Sequence, residues 1–170
     1  MSKVKSTDIQ VNKSIVMSLS SKYGKAYRTK APRVLAVIKK ALPHLRRKLS
    51  FDQDVVIRVA PIKQKQTNGR YWATSKVAEI DCRLTARQAM ETLCHELVHA
   101  EQYHTGKLVD RGHKHSSWMG ELWTCADAST SYKAYRAQPW EQEAFGRQKE
   151  LAAWCWEQLG EELTTPIDNT

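Results

Sequence analysis

Thr85-Ala86-Arg87-Gln88-Ala89-Met90-Glu91-Thr92-Leu93-Cys94-His95-Glu96-Leu97-Val98-His99-Ala100-Glu101-Gln102-Tyr103-His104 is the stretch from which the rest of the chain is read. Thr85 is a good helix N-cap, and Gln88 three residues later completes a capping box. Ala89, Met90, Leu93, Leu97 and Ala100 recur at helical spacing and form an apolar stripe, which predicts a helix from Thr85 to about His104. His95 and His99, four residues apart, then project from one face, one turn above the other. Their imidazoles can share one tetrahedral zinc ion without bending the backbone, and Glu96 is placed to reach a water on that ion. Zinc lowers the pKa of such a water to roughly 7, and a neighbouring carboxylate can take its proton for attack on a carbonyl. His95 and His99 are therefore the expected metal ligands and Glu96 the expected general base of a zinc peptidase. Cys94, beside the first histidine, reads as a packing residue.

The composition sets the limits. The 170 residues suit one domain, here expected to be 31–160, preceded by a basic mobile arm (1–30) and followed by an acidic tail (161–170). No apolar run approaches the ~20 residues of a membrane span and no signal-peptide core opens the chain, so a cytoplasmic protein without membrane contact is expected. The four cysteines form no C-x-x-C pair, which argues against a zinc ribbon or a disulfide framework. The net charge of +9 is uneven: residues 1–50 hold 13 Lys or Arg against Asp8 alone, whereas seven acids and two bases follow from Pro139. A basic leading segment can touch nucleic acid, although no DNA-reading motif accompanies it.

Around the central helix the period changes. A short helix is expected at Ile15–Leu19. An amphipathic helix is expected to open at Pro32, with Pro43 breaking or kinking it and Leu45 and Leu49 continuing it. Val55–Val59 is β-rich, Thr67-Asn68-Gly69 is a turn signal, and Tyr71–Asp81 is extended. The two runs read as a hairpin leading into the metal helix, whose strand can edge a cleft. Gly106 is the expected helix C-cap. Lys107–His115 reads as a polar loop, 116–123 as a short helix, Ala128–Gln138 as a second polar connection, and Pro139 as the start of the last long helix. The fold class expected is α+β, a small antiparallel sheet packed against the histidine-bearing helix, with a later helix closing the site.

Two histidines leave a catalytic zinc site one protein ligand short. His104, His113, His115, Glu141 and Glu143 are the candidates. His104 lies nine residues beyond His95, about 900° around a helix, and so faces the other way. His95-Glu96-Leu97-Val98-His99-Ala100-Glu101-Gln102-Tyr103, Trp118-Met119-Gly120 and Pro139-Trp140-Glu141-Gln142-Glu143-Ala144-Phe145-Gly146-Arg147 together resemble small phage and bacterial metallopeptidases of the gluzincin-like type. The resemblance covers roughly residues 70–150. It implies a glutamate third ligand on a downstream helix, three residues before a small residue. That selects Glu141, three before Ala144, ahead of Glu143. Many gluzincins carry Asp just after the small residue, where this chain has Phe145. Asp110-Arg111-Gly112-His113 also resembles the SprT-like and Spartan-like proteases, in which the histidine is the third ligand. The continuation Lys114-His115-Ser116-Ser117-Trp118 departs from their pattern, and their Cys-rich ribbon is absent. The expected activity is hydrolysis of peptide bonds in a protein or peptide substrate, in the host cytoplasm if the chain is phage-encoded. The alternatives are a SprT-like DNA-associated protease, recruited by the basic segment before Ser50, and a non-catalytic zinc-binding protein. Glu101, Asp127 and Glu143 are candidates to orient the histidines' other ring nitrogens, and Tyr103, Tyr132 and Tyr135 to steady an oxyanion.

Overall fold

The computed structural model describes residues 7–12, 15–19, 25–49, 55–64 and 66–160, with side chains from Lys30 onward. The expected acidic tail, 161–170, lies outside them. The class is α+β, as the sequence implies.

The described residues form two sheets. The larger contains β1 (Thr7–Asn12), β2 (Ile15–Leu19), β3 (Val56–Ala60), β4 (Gly69–Trp72) and β5 (Val77–Asp81), in the order β1-β2-β3-β5-β4. Ile15–Leu19, expected as a short helix in a basic arm, is thus a strand that pairs in parallel with β3. Its β-branched Ile15 and Val16 suit that geometry. The hairpin also differs from expectation. Tyr71–Asp81 is not one strand paired with Val55–Val59: β4 and β5 form the antiparallel hairpin, and β3 runs parallel to β5. The turn at residues 73–76 lies inside the stretch that looked continuous. Among the described residues β4 consequently forms one edge of the sheet.

Alternation along the strands puts Ile57 and Val59 of β3 with Ala78 and Ile80 of β5 into one core with the helices. The opposite face carries Glu79, which accepts hydrogen bonds from Arg58 (3.0 Å), Arg70 (2.5 Å) and the Trp72 indole (3.2 Å). These bonds tie β3, β4 and β5 together and hold the Glu79 carboxyl below its ordinary range against the opposing effect of burial.

α1 (Lys25–Leu49) begins before Pro32, where the sequence suggested its start, and runs unbroken through Pro43. Pro32 and Pro43 both sit on its exposed side. The carbonyl of Lys39, which loses its partner N–H at Pro43, therefore faces water. The opposite stripe, including Val34, Ile38, Ala41 and Leu45, is fully buried. α2 (Ala86–His104) has the expected boundaries: Thr85 accepts from the Gln88 backbone, the Gln88 side chain returns a bond to the Thr85 backbone, and Gly106 follows the helix at φ +73°.

The expected loop and short helix after α2 are instead a three-stranded antiparallel sheet of β6 (Leu108–Gly112), β7 (His115–Trp118) and β8 (Glu121–Thr124). Its two turns explain the difference. His113-Lys114 and Met119-Gly120 both take positive φ at both residues, the conformation that closes two-residue hairpins. Met119-Gly120 thus interrupts the Trp118/Leu122 spacing that suggested a helix. α3 (Tyr132–Arg136) is a short helix in the expected second connection, capped by Ser131. α4 (Pro139–Leu159) starts at Pro139 as expected and buries Trp140, Ala144, Leu151, Ala152 and Cys155.

Thr85 anchors the start of α2 from an exposed position, so its effect can be isolated. Thr85→Ala is expected to remove the capping box and lower stability by about 1 kcal/mol, read as a lower urea midpoint with unchanged slope.

Candidate metal centre

α2 contributes His95, Glu96 and His99; α4 crosses beside it and contributes Glu141 from its first turn. The two Nε2 atoms stand 3.1 Å apart. Glu141 Oε2 lies 3.3 Å from His95 Nε2, and Oε1 lies 3.3 Å from His99 Nε2. Ligand atoms held 2.0–2.1 Å from a tetrahedral ion are themselves about 3.3 Å apart. All three side chains are buried, and this is the one group of three or more His, Cys, Asp or Glu found within ligand distance among the described residues.

The tautomers follow from the partners behind the rings. Gln102 donates its amide hydrogens to the Trp140 carbonyl (3.0 Å) and to Glu143 (3.0 Å). Its oxygen must then face His99 Nδ1 at 2.8 Å, and Nδ1 must carry the proton. His95 Nδ1 lies 2.9 Å from the Gln148 oxygen in the same sense. Neutral rings held this way turn two Nε2 lone pairs toward each other and toward a carboxylate. Three electron-rich groups cannot rest so close in a buried site without a cation among them. Glu141 Oε2 emphasises the deficit: it is buried and accepts no hydrogen bond.

In the metal-free chain a proton meets the need. Burial alone lowers the His99 pKa, but the hydrogen bond and charge of Glu141 outweigh it and push His99 up to about 9. Glu141 shows the reciprocal change: burial raises it, yet the two histidines bring it down to about 2. Two nitrogens, one carboxylate oxygen, fixed tautomers and a protein-deep setting also suit zinc.

The other candidates stand elsewhere. Glu143 is turned from the histidines and paired with Lys107 at 2.7 Å, acting one step behind Gln102. His113 is exposed at the β6–β7 turn, His115 is on β7, and His104 is exposed at the end of α2. None of them joins the His95/His99/Glu141 group. The carboxylates expected to orient the imidazoles do not do so directly: Glu101 pairs with Arg147, Asp127 caps the turn at Ser129, and amide oxygens take the role instead. Gln102 could have been found from its spacing, three residues beyond His99. Gln148 required the packing of α4 on α2. Cys94 is buried and its thiol is pushed upward by desolvation, as a packing residue requires.

Glu96 is buried in the cleft wall. Desolvation raises its pKa, Glu141 adds to the rise, and the two histidines oppose it. β4 passes close by at Gly69, where an added Cβ would meet Thr92 Cγ2 at 2.5 Å, Glu96 Oε1 at 2.8 Å and the Glu79 carbonyl at 3.0 Å. Glycine there lets the edge strand approach the carboxylate. Thr67-Asn68-Gly69 reads as a turn in the sequence, because nothing local reveals the helix against which Gly69 packs. Tyr135 comes in from α3, and its phenol is raised by burial and then by the charge of Glu141. Tyr103 is raised to about 12 by burial first, then by nearby acids. Both remain neutral donors.

Comparison of the chain with protein families, with curated proteins and with solved structures finds no match.

The His99–Glu141 pair sets a pH dependence for the metal-free chain. His99, raised from 6.5, contributes stability in full below pH 6.5 and loses it as pH climbs through about 9. Glu141, lowered from 4.5, contributes in full above pH 4.5 and loses it as pH falls toward about 2. In EDTA, the stability advantage of the native chain over Glu141→Gln is therefore expected to peak between pH 4.5 and 6.5. It should shrink by on the order of 2 kcal/mol by pH 9.5, measured by urea unfolding.

Proposed function

We propose that the protein is a zinc-dependent metallopeptidase of the gluzincin-like kind, with His95, His99 and Glu141 as the metal ligands and Glu96 as the general base. The convergence of two Nε2 lone pairs and the unpartnered Glu141 oxygen on one buried point, with Glu96 beside it in a cleft, carries this reading. A zinc ion on these ligands would supply Lewis acidity, polarising a carbonyl and bringing the pKa of a water to roughly 7. The chain's own groups do the rest. Gln102 and Gln148 hold the imidazoles by their Nδ1 protons. Glu96 takes a proton from the attacking water and returns it to the amide nitrogen as the C–N bond breaks, leaving an acid and an amine. β4, the sheet edge, offers backbone groups to an extended peptide, and Thr67, Gly69 and Tyr71 of its neighbourhood line the cleft. Tyr135, a neutral phenol between the two arms of the cleft, is placed to donate to a developing oxyanion.

Zinc content of the purified chain and its variants tests the ligand set. One zinc per chain is expected in the native protein, in Glu143→Ala and in His113→Ala, with loss in Glu141→Ala. Loss in His113→Ala alone would transfer the site to the SprT-like arrangement. Glu96→Gln is expected to keep its zinc and to lower peptide hydrolysis by at least 100-fold.

One observation supports a nucleic-acid contact as an added property. α1 contains no acid over its 25 residues, and Lys30, Lys39, Lys40, Arg47 and Lys48 are on its exposed side. Double-stranded DNA is expected to bind with an affinity that falls steeply with salt, and Lys39→Glu/Lys40→Glu should flatten that slope by about two. Absence of binding at 50 mM salt would remove this reading and leave the peptidase intact.

A further inference from the structure

The cleft is divided at Glu96 and Tyr135. Two cavities share Thr67, Gly69, Glu96, Ala128 and Tyr135 and diverge from there. One, of about 240 Å³, runs toward the C-terminal half of α2 and contains Arg70 together with Asp127, Glu96 and Glu141. The other, of about 150 Å³, runs toward the N-terminal half of α2 between that helix, α3 and α4. Apart from the His95 imidazole at its metal end, the charged side chains on the walls of this second chamber are of one sign. Glu91 and Glu96 line it, and no Lys or Arg does; the remaining polar groups are mostly amides and hydroxyls, and Tyr132 and Phe145 supply rings.

Resting on the metallopeptidase reading, we propose that this chamber receives a lysine or arginine side chain of the substrate next to the cleaved bond, with Glu91 selecting the charge. An ammonium or guanidinium head carries donors only and needs acceptors around it. Glu91 offers a carboxylate, and Gln66 and Asn68 offer amide oxygens. Rings beside these groups suit the apolar stem of such a side chain. An acidic side chain would meet two carboxylates at once, which excludes it by repulsion as well as by lack of donors. Arg87 reaches Glu91 at 3.2 Å, but it is 82% exposed and approaches from solvent, where such a pair is weak and readily exchanged. Arg136 lies against the Phe145 ring at 3.7 Å and is not part of the lining. Glu91 is a residue that binding alone would require, since it is not among the ligands or the base.

Peptides identical except for one central Lys, Arg, norleucine or Glu separate this inference from the reading beneath it. Binding is measured on the full-length Glu96→Gln protein, which turns over slowly, and cleavage sites are mapped with the native protein on a random peptide mixture. Lys and Arg peptides are expected to bind about fivefold to tenfold more tightly than norleucine, and Glu91→Gln should abolish the difference. Glu91→Lys should favour the Glu peptide instead, and cleaved bonds should be flanked by a basic residue. Equal binding across the series, with cleavage indifferent to basic residues, overturns the specificity while hydrolysis stands. Charge-selective binding that depends on Glu91, without cleavage of any peptide, upholds the chamber and overturns the peptidase. Neither binding nor cleavage overturns both.

Discussion

Two imidazole nitrogens 3.1 Å apart, both turned by their partners so that lone pairs meet, form the constraint around which this molecule is arranged. A close pair of acceptors is unfavourable in a buried site unless a proton or a metal ion joins them. The carboxylate of Glu141 compounds the demand. Its position depends on α4 crossing α2, and that crossing depends on the apolar contacts of Ala144, Leu151, Ala152 and Cys155 with the common core. The site is therefore preorganised by packing at some cost in electrostatics, which a bound cation would offset.

Gln102 couples these parts. Fully buried, it holds His99 with its oxygen while its amide hydrogens engage the Trp140 carbonyl and Glu143 of α4. Glu143 is in turn paired with Lys107. One amide thus fixes a tautomer, the first turn of α4 and the placement of Glu141 two residues before Glu143. Because Gln102, Glu143 and Lys107 are joined by directed bonds, small changes among them would pass directly to the proposed ligands.

The expectations that failed share a physical origin. Helix α2 and the start of α4 were legible because caps and a 3.6-residue period are local properties of Thr85, Gln88, Pro139 and their apolar neighbours. Strand pairing is not local. Tyr71–Asp81 reads as one run, yet its middle turns and β5 joins β3 in parallel, an arrangement set by the helices that cover Ile57, Val59, Ala78 and Ile80. Likewise Ser116–Trp123 presents apolar residues four apart, and only the positive φ values of Met119 and Gly120 turn that spacing into a hairpin.

His95, Glu96 and His99 were fixed in relation to one another by sequence alone, since four residues make one turn of a helix that its own caps define. Glu141 was selected over Glu143 through resemblance. In the structure it is Glu141 that faces the imidazoles, while Glu143 is drawn to Lys107 and Gln102. The choice of Gln102 and Gln148 as the groups behind the rings, the entry of Gly69 against Glu96, and the acid-lined chamber beside Glu91 belong to tertiary structure. Each joins elements that are far apart in the chain or places a side chain against a neighbour that no local pattern names. A helix period encodes which residues share a face; which element that face meets is decided by the packing of the whole.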